Sequence, residues 1–239
     1  MHYKITPGIV VKTENAAKPE KQSSSYLRFI ISNLEPVSSS FDYGCGKLRY
    51  KGPILQKTDT LVLVDSEVQL SRKQILGGKL TTIRALIQRS NRVAACNTME
   101  FAEHQSKFDR GFCINVLSVI PFFSIRKRVL SLIRQRLRPG GTCLFVVQYR
   151  NSDFSRMRAM PNALPWRDGF LIDSLRGFSF YGLISPEQLV AAVSGAGFEI
   201  IEQRLNEGSV YLLARTASTH ESVGIIDIDE GRNFHFQSK

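Results

Sequence analysis

Residues 60–65, Thr-Leu-Val-Leu-Val-Asp, are apolar at four consecutive positions and end in an acid. A strand that is wet on one face alternates apolar and polar residues, because successive side chains point to opposite faces. A run without that alternation belongs to a strand covered on both faces. Such strands occur in parallel sheets with helices packed above and below. The rest of the chain keeps the same rhythm: a short strand leading into Phe41–Tyr43, then Arg-Val-Ala-Ala-Cys (92–96), a strand within 108–121, and Thr-Cys-Leu-Phe-Val-Val-Gln (142–148).

Helical stripes fall between these strands. Leu27, Ile30, Ile31 and Leu34 share one face behind a capping Ser25. Ile125, Val129, Leu132, Ile133 and Leu137 form a second stripe, stopped by Arg138-Pro139-Gly140-Gly141. Ser185-Pro186-Glu187-Gln188 opens another helix with a cap, an N1 proline and a capping-box glutamine. Residues 67–90 read as helical, interrupted at Gly77-Gly78. Two last strands, 198–203 and 209–215, flank a short loop with Asn206 and Gly208, which suits an antiparallel hairpin. The expected fold is α/β: a Rossmann-like, doubly wound, mostly parallel seven-stranded sheet with a C-terminal antiparallel hairpin. Residues 1–36 are expected to be a loose polar arm and a helix. Residues 37–216 form the main domain, with a lid at 149–184, and 217–239 a polar tail.

Composition narrows the class. The 239 residues, 43% of them hydrophobic, suit one globular domain. No apolar run approaches the roughly 20 residues that span a bilayer, and Met1–Val10 lacks the apolar core of a secretory signal. A cytoplasmic protein without membrane contact is expected. Cys45, Cys96, Cys113 and Cys143 form no C-x-x-C, and the four histidines stand in no ligand spacing with them. Reduced, mostly buried thiols and no metal follow. The net charge of +11 is uneven: residues 107–176 carry 13 Lys/Arg against 4 acids, whereas 177–239 carry 4 against 8. A basic face for an anionic partner and a solvated surface both fit that excess.

The chemistry concentrates in Phe41-Asp42-Tyr43-Gly44-Cys45-Gly46. In an open parallel sheet, ligands sit beyond the carboxyl ends of the strands at the switch point. Glycines at 44 and 46 let backbone approach a ligand there. Asp65 ends the next strand, 19 residues after Gly46, where a carboxylate accepts two hydrogen bonds from a ribose diol. A dinucleotide site would need a third glycine, but Lys47, Leu48 and Arg49 follow instead. Asp42 would also repel a pyrophosphate, whereas it favours a ligand with ammonium and sulfonium groups.

On these residues the chain resembles the class I S-adenosylmethionine (SAM)-dependent methyltransferases. Phe41–Gly46 is similar to their first motif and Leu61–Asp65 to their second. Lys107–Pro121 looks like their fourth, and Leu132–Val146, with its Leu-Arg-Pro-Gly-Gly turn, like their fifth strand and the helix before it. The resemblance spans about 41–215. It implies that Asp42, Tyr43, Gly44, Cys45 and Gly46 line the methionine part of the cofactor. Asp65 and Ser66 would lie at the ribose, Asn97, Thr98 and Met99 at the adenine, and Asn115 and Val116 beside the sulfonium. It implies SAM as cofactor and S-adenosylhomocysteine (SAH) as product. Two departures concern the first loop: Leu48 stands where the family often has a glycine or small residue, and Pro53 delays the next helix.

Methyl transfer from a sulfonium requires alignment and exclusion of water more than a fixed catalytic group, so no catalytic residue is assigned. No Asn-Pro-Pro-Tyr or Pro-Cys follows the fourth strand, which argues against the usual nucleic-acid base chemistries. The acceptor is expected to be a small, possibly anionic, molecule. Tyr149, Arg150, Trp166 and Tyr181 of the lid are its candidate contacts. Nucleic acid, drawn to residues 107–176, is the alternative, and a SAM-binding sensor without turnover is a further one.

Overall fold

The computed structural model describes residues 1–150 and 152–218. In chain order the strands and α-helices are β1 (His2–Thr6), β2 (Ile9–Lys12), α1 (Ser25–Ser32), β3 (Val37–Tyr43), α2 (Lys51–Leu55), β4 (Thr58–Asp65), α3 (Glu67–Ser71), β5 (Gln74–Leu76), β6 (Lys79–Thr81), α4 (Ile83–Ile87) and β7 (Val93–Asn97). There follow α5 (Thr98–Glu103), β8 (Phe108–Ile114), α6 (Phe123–Arg136), β9 (Leu137–Gln148), α7 (Ser152–Ala159), β10 (Ala163–Trp166), β11 (Gly169–Ile172), β12 (Ser179–Gly182), α8 (Pro186–Gly195), β13 (Phe198–Asn206) and β14 (Ser209–Thr216).

Seven strands form the central sheet in the order β13-β14-β9-β8-β3-β4-β7. β9, β8, β3, β4 and β7 run parallel, and β14 lies antiparallel to both of its neighbours. The apolar runs divide between two cores as the strand pleat requires. Val64 of β4, Cys113 of β8 and Phe145 and Val147 of β9 face Phe101 of α5, Val129 and Ile133 of α6, and Leu189 and Val193 of α8. Leu61, Leu63, Phe112, Ile114, Leu144 and Val146 face the other way, onto Leu27 and Ile31 of α1, Ile54 of α2, Leu70 of α3 and Ile83 of α4. The consecutive apolar residues of β4 are therefore one strand serving two cores.

Four sequence expectations change. The α1 cap is Ser24, which accepts the Leu27 N–H, and not Ser25. Residues 67–90 are not one interrupted helix. Gly77 (φ +52°) and Gly78 (φ +80°) make the two-residue turn of hairpin β5–β6, and helices α3 and α4 flank it. Arg138–Gly141 does not stop a helix short of a strand, because α6 ends at Arg136 and the four residues lie within β9. Phe108 opposes Leu137 and Arg110 opposes Thr142, so this segment bulges from the β8–β9 ladder.

The fourth change is the N-terminal arm, which is ordered. β1 and β2 pair about the Pro7-Gly8 turn. The Lys12 N–H then donates to the Phe178 carbonyl at 2.8 Å, joining the hairpin to the three-stranded sheet β10-β11-β12. Ile5, Ile9 and Val11 pack there with Trp166, Leu171 and Phe180, and this apolar contact holds an otherwise polar segment in place. The segment expected as a lid thus contains α7 and a small sheet, the latter braced by β1 and β2. The alternating stretch Ile225–Ile228 lies outside the described residues.

β3 and β8 approach closely because Gly111 has no side chain. A Cβ built on Gly111 would stand 2.4 Å from Cζ of Phe41, a fully buried ring that also packs on Phe101 and Phe108. Gly111→Ala is expected to lower stability by about 1–3 kcal/mol. Urea unfolding measures this, and an unchanged midpoint would show that the ring yields freely.

Candidate functional site

The order of connections reverses between β3 and β8: the chain runs from β3 outward to β4 and β7, then returns to β8 and β9. An open sheet forms a crevice at that point, beyond the carboxyl ends of its strands. A cleft of about 870 Å³, counting space open to solvent, lies there. Its walls are Asp42–Lys47, Arg49 and Tyr50 after β3, Asp65 and Ser66 after β4, Thr98 at the start of α5, and Ile114–Val116 after β8.

The first loop is shaped by backbone geometry. Gly44 has φ +79°, and a Cβ built on it would stand 2.3 Å from Cγ2 of Val116. The N–H groups of Gly44 and Cys45 both donate to the Val64 carbonyl, at 2.7 and 3.1 Å. Leu48, the residue that departs from the family pattern, has φ +61°. It adopts the left-handed conformation a glycine would occupy, at a cost of about 1–2 kcal/mol, and its buried side chain offsets that cost. The short α2 begins only at Lys51.

Two acids define the electrostatics. Asp65 accepts the Gly46 N–H at 2.9 Å and the Ser66 N–H at 2.8 Å. Burial nevertheless raises its carboxyl above the usual range, against the pull of those two bonds. Asp42 is 4% exposed, and its carboxylate receives no hydrogen bond among the described residues. Burial, with the charge of Asp65 next, pushes it up to about 7, while Arg49 acts in the opposite direction. Burial also pushes the thiol of Cys45 well above its ordinary range, so it stays protonated and inert.

Asn115 ends β8 in a left-handed conformation, φ +58°, and donates its N–H to the Val146 carbonyl at 2.7 Å. Its side-chain Oδ1 is buried without a hydrogen bond. Such strained, unpartnered groups concentrate where a ligand completes them.

Other candidates from the sequence lie elsewhere. Asn97 caps α5, its Oδ1 accepting the Met99 and Glu100 N–H groups at 2.9 and 3.0 Å. Met99 is 74% exposed, and neither residue lines the cleft. Tyr43 packs its ring on Phe101 while facing the cleft. Tyr149 packs against the core below the sheet's end, and Arg150 is exposed. Trp166 sits between Phe122 and Phe180, with the Arg167 guanidinium 4.6 Å from its ring. Tyr181 belongs to β12. None of these four lid residues lines the cleft.

The N-terminal segment supplies what sequence reasoning missed. Tyr3, Thr13, Glu14, Ala16, Ala17 and Lys18 line the cleft. Ala17 closes over the loop, 3.6 Å from a Cβ built on Gly46. Glu14 is 8% exposed. Its Oε1 pairs with Nε2 of His2 at 2.7 Å, and its Oε2 has no hydrogen bond, the Met1 amino group standing 3.6 Å away. The Pro7-Gly8 turn between Ile5 and Ile9 was the available signal.

No protein-family model matches the chain. An O-methyltransferase family protein from Burkholderia thailandensis superposes with a TM-score of 0.57 at 15% identity, over 82% of this chain and 57% of that one. The 1,6-didemethyltoxoflavin-N1-methyltransferase of Burkholderia thailandensis, with bound 1,6-didemethyltoxoflavin and SAH, gives 0.55 at 17% identity, over 81% of this chain and 78% of that one. The fold is that of the class I SAM-dependent methyltransferases. By sequence the chain is 33% identical over 209 residues to the uncharacterized protein YmfD of Escherichia coli strain K12, covering 86% of this chain and 92% of YmfD, and it belongs to the same family.

The Gly44–Val116 contact can be tested by a double-mutant cycle. Gly44→Ala is expected to destabilise by more than about 2 kcal/mol, combining backbone strain with the clash. Adding Val116→Ala should recover at least about 1 kcal/mol of the summed single effects. Strict additivity in urea unfolding would mean the two residues do not meet.

Proposed function

We propose that the chain is a SAM-dependent methyltransferase acting on a small acceptor. The observation that carries this reading is Asp42: a buried carboxyl, raised to about 7, beside a second acid and facing the cleft where the sheet's connections reverse. Such a group favours a cationic ligand, because it has no hydrogen bond to compensate for its lost hydration and a nearby positive charge would do so. The unpartnered Oδ1 of Asn115 and Oε2 of Glu14 on the same walls fit a ligand with several polar groups.

In this reading Asp42 and the bare backbone of Gly44 and Gly46 hold the methionine part, and Asp65 accepts from the ribose hydroxyls with the lone pairs its two backbone bonds leave. Thr98 flanks the base, and Asn115 and Val116 border the sulfonium. Bound SAM supplies an activated methyl, whose carbon bonds to the acceptor's lone pair as the carbon–sulfur pair returns to sulfur, leaving SAH. The chain's own residues orient the acceptor and exclude water.

The basic block 107–176 supports a small acceptor over nucleic acid. At least eight of its thirteen cations are engaged within the protein. Lys107, Arg110, Arg134 and Arg136 donate to main-chain carbonyls, Arg126 and Arg138 pair with Asp168 and Asp109, and Lys127 and Arg167 stack on Phe123 and Trp166. Those side chains are held by contacts within the protein rather than arrayed along a phosphate backbone.

Two outcomes check the cofactor assignment by calorimetry. Asp65→Ala is expected to weaken SAH binding by about 1.5–3 kcal/mol, the worth of charge-assisted hydrogen bonds to the diol; an unchanged affinity in the folded variant contradicts the ribose assignment. A bound cation favours ionised Asp42, so its pKa falls in the complex. SAM affinity should therefore rise by up to about tenfold per pH unit as pH increases toward 7, then level off. A flat profile from about pH 5.5 to 8.5 excludes Asp42 as the cation's partner.

A further inference from the structure

A second cavity, of about 810 Å³ counting space open to solvent, adjoins the cleft. Lys18, Arg49, Tyr50 and Asn115 line both, so the two share a wall. Beyond that wall the second cavity runs along the ends of β9 and β14, where Gln148 and Ser209 stand opposite one another in the ladder.

Its charge is one-sided. Lys18 and Arg49 are cations, the other walls are neutral, and no Asp or Glu lines it. The cations are under-used. Lys18 makes no hydrogen bond or ion pair among the described residues. Arg49 makes one long bond, 3.4 Å to the Gln22 carbonyl, and lies 5.2 Å from the Tyr50 ring centroid. The Gln148 amide is likewise without a hydrogen bond among the described residues. The cleft next door differs in carrying three acids, Glu14, Asp42 and Asp65, besides Lys18, Lys47 and Arg49. The two meet at Asn115, whose buried Oδ1 has no partner.

We propose that this second cavity holds the methyl acceptor, and that the acceptor is a small organic anion, a carboxylate or a phosphomonoester. This rests on the reading of the adjoining cleft as the SAM site. Lys18 and Arg49 neutralise the anion, and the amide of Gln148 and hydroxyls of Ser209 and Tyr211 satisfy its remaining oxygens. Asn115 accepts from the N–H or O–H to be methylated, which directs that atom at the shared wall. The acids Glu14, Asp42 and Asp65 line the cleft and not the second cavity, so an anion is favoured on the Gln148 side of the shared wall.

The test uses the full chain saturated with SAH. A panel of monocarboxylates and phosphomonoesters, each paired with its neutral amide or alcohol, is screened by saturation-transfer difference NMR, with a single-stranded oligonucleotide as a further arm. Anions are expected to bind and their neutral partners not to. Gln148 lines the second cavity alone, so Gln148→Glu should weaken the best anion about tenfold or more, the worth of one close like charge, and leave the SAH Kd within twofold. Gln148→Lys should bind that anion at least as tightly as the unmodified chain, which guards against a folding defect in either variant. The proposal is overturned if no anion binds, if neutral partners bind as well, if Gln148→Glu leaves anion affinity unchanged, or if only the oligonucleotide binds. Failure of the unmodified chain to bind SAH would overturn the cleft assignment instead, separately from the charge preference of the neighbouring cavity.

Discussion

Two carboxyls brought together where the sheet's connections reverse set the terms for everything around them. Asp42 ends β3 and Asp65 ends β4, and Tyr43 and Val64 pair between these parallel strands. Their positions follow from the fold, but their cost does not cancel within it. Asp42 titrates near 7 in the folded chain and near 3.9 when unfolded. The fold therefore holds a proton that the unfolded chain has released, and stability is lost as pH rises through that window. A bound cation beside Asp42 would offset that loss.

The surrounding backbone is fitted to the same end. Gly44 turns the chain so that Val116 can close on it, and Leu48 takes a left-handed conformation while its side chain anchors the loop in the α1–α4 core. Leu48 thus takes a backbone conformation that suits glycine while adding a side chain to the core. The N-terminal hairpin completes the enclosure. It crosses from the lid sheet, where Val11 bridges to Phe178, to the cleft, where Ala17 lies over Gly46. This segment thus joins the β10–β12 sheet to the cleft.

Much of this was legible in the sequence. The uninterrupted apolar run of β4, the Ser185 capping box of α8 and the 19-residue spacing of Gly46 and Asp65 each have one reading in an α/β sheet. What escaped notice depends on contacts made far along the chain. Residues 1–24 look polar and loose because the apolar residues they pack on lie more than 100 positions away, at Phe122 and in β10–β12. Glu14 gave no local sign of being buried. Asn97 and Met99 follow the third strand as the family pattern requires, yet Asn97 is spent on capping α5 and Met99 turns outward, leaving Thr98 on the cleft. Aromatic Trp166 reads as a ligand contact, but its ring is used to join lid to hairpin.

The central claim is that Asp42 is held out of its ordinary state for a cation. It is read most directly from the Asp42 carboxyl carbon, by NMR titration of labelled protein, with and without SAM. The expected result is a midpoint near 7 in the free chain that falls by more than about one unit when SAM is bound. An ordinary carboxylate midpoint in the free chain, or one that SAM does not move, would contradict it.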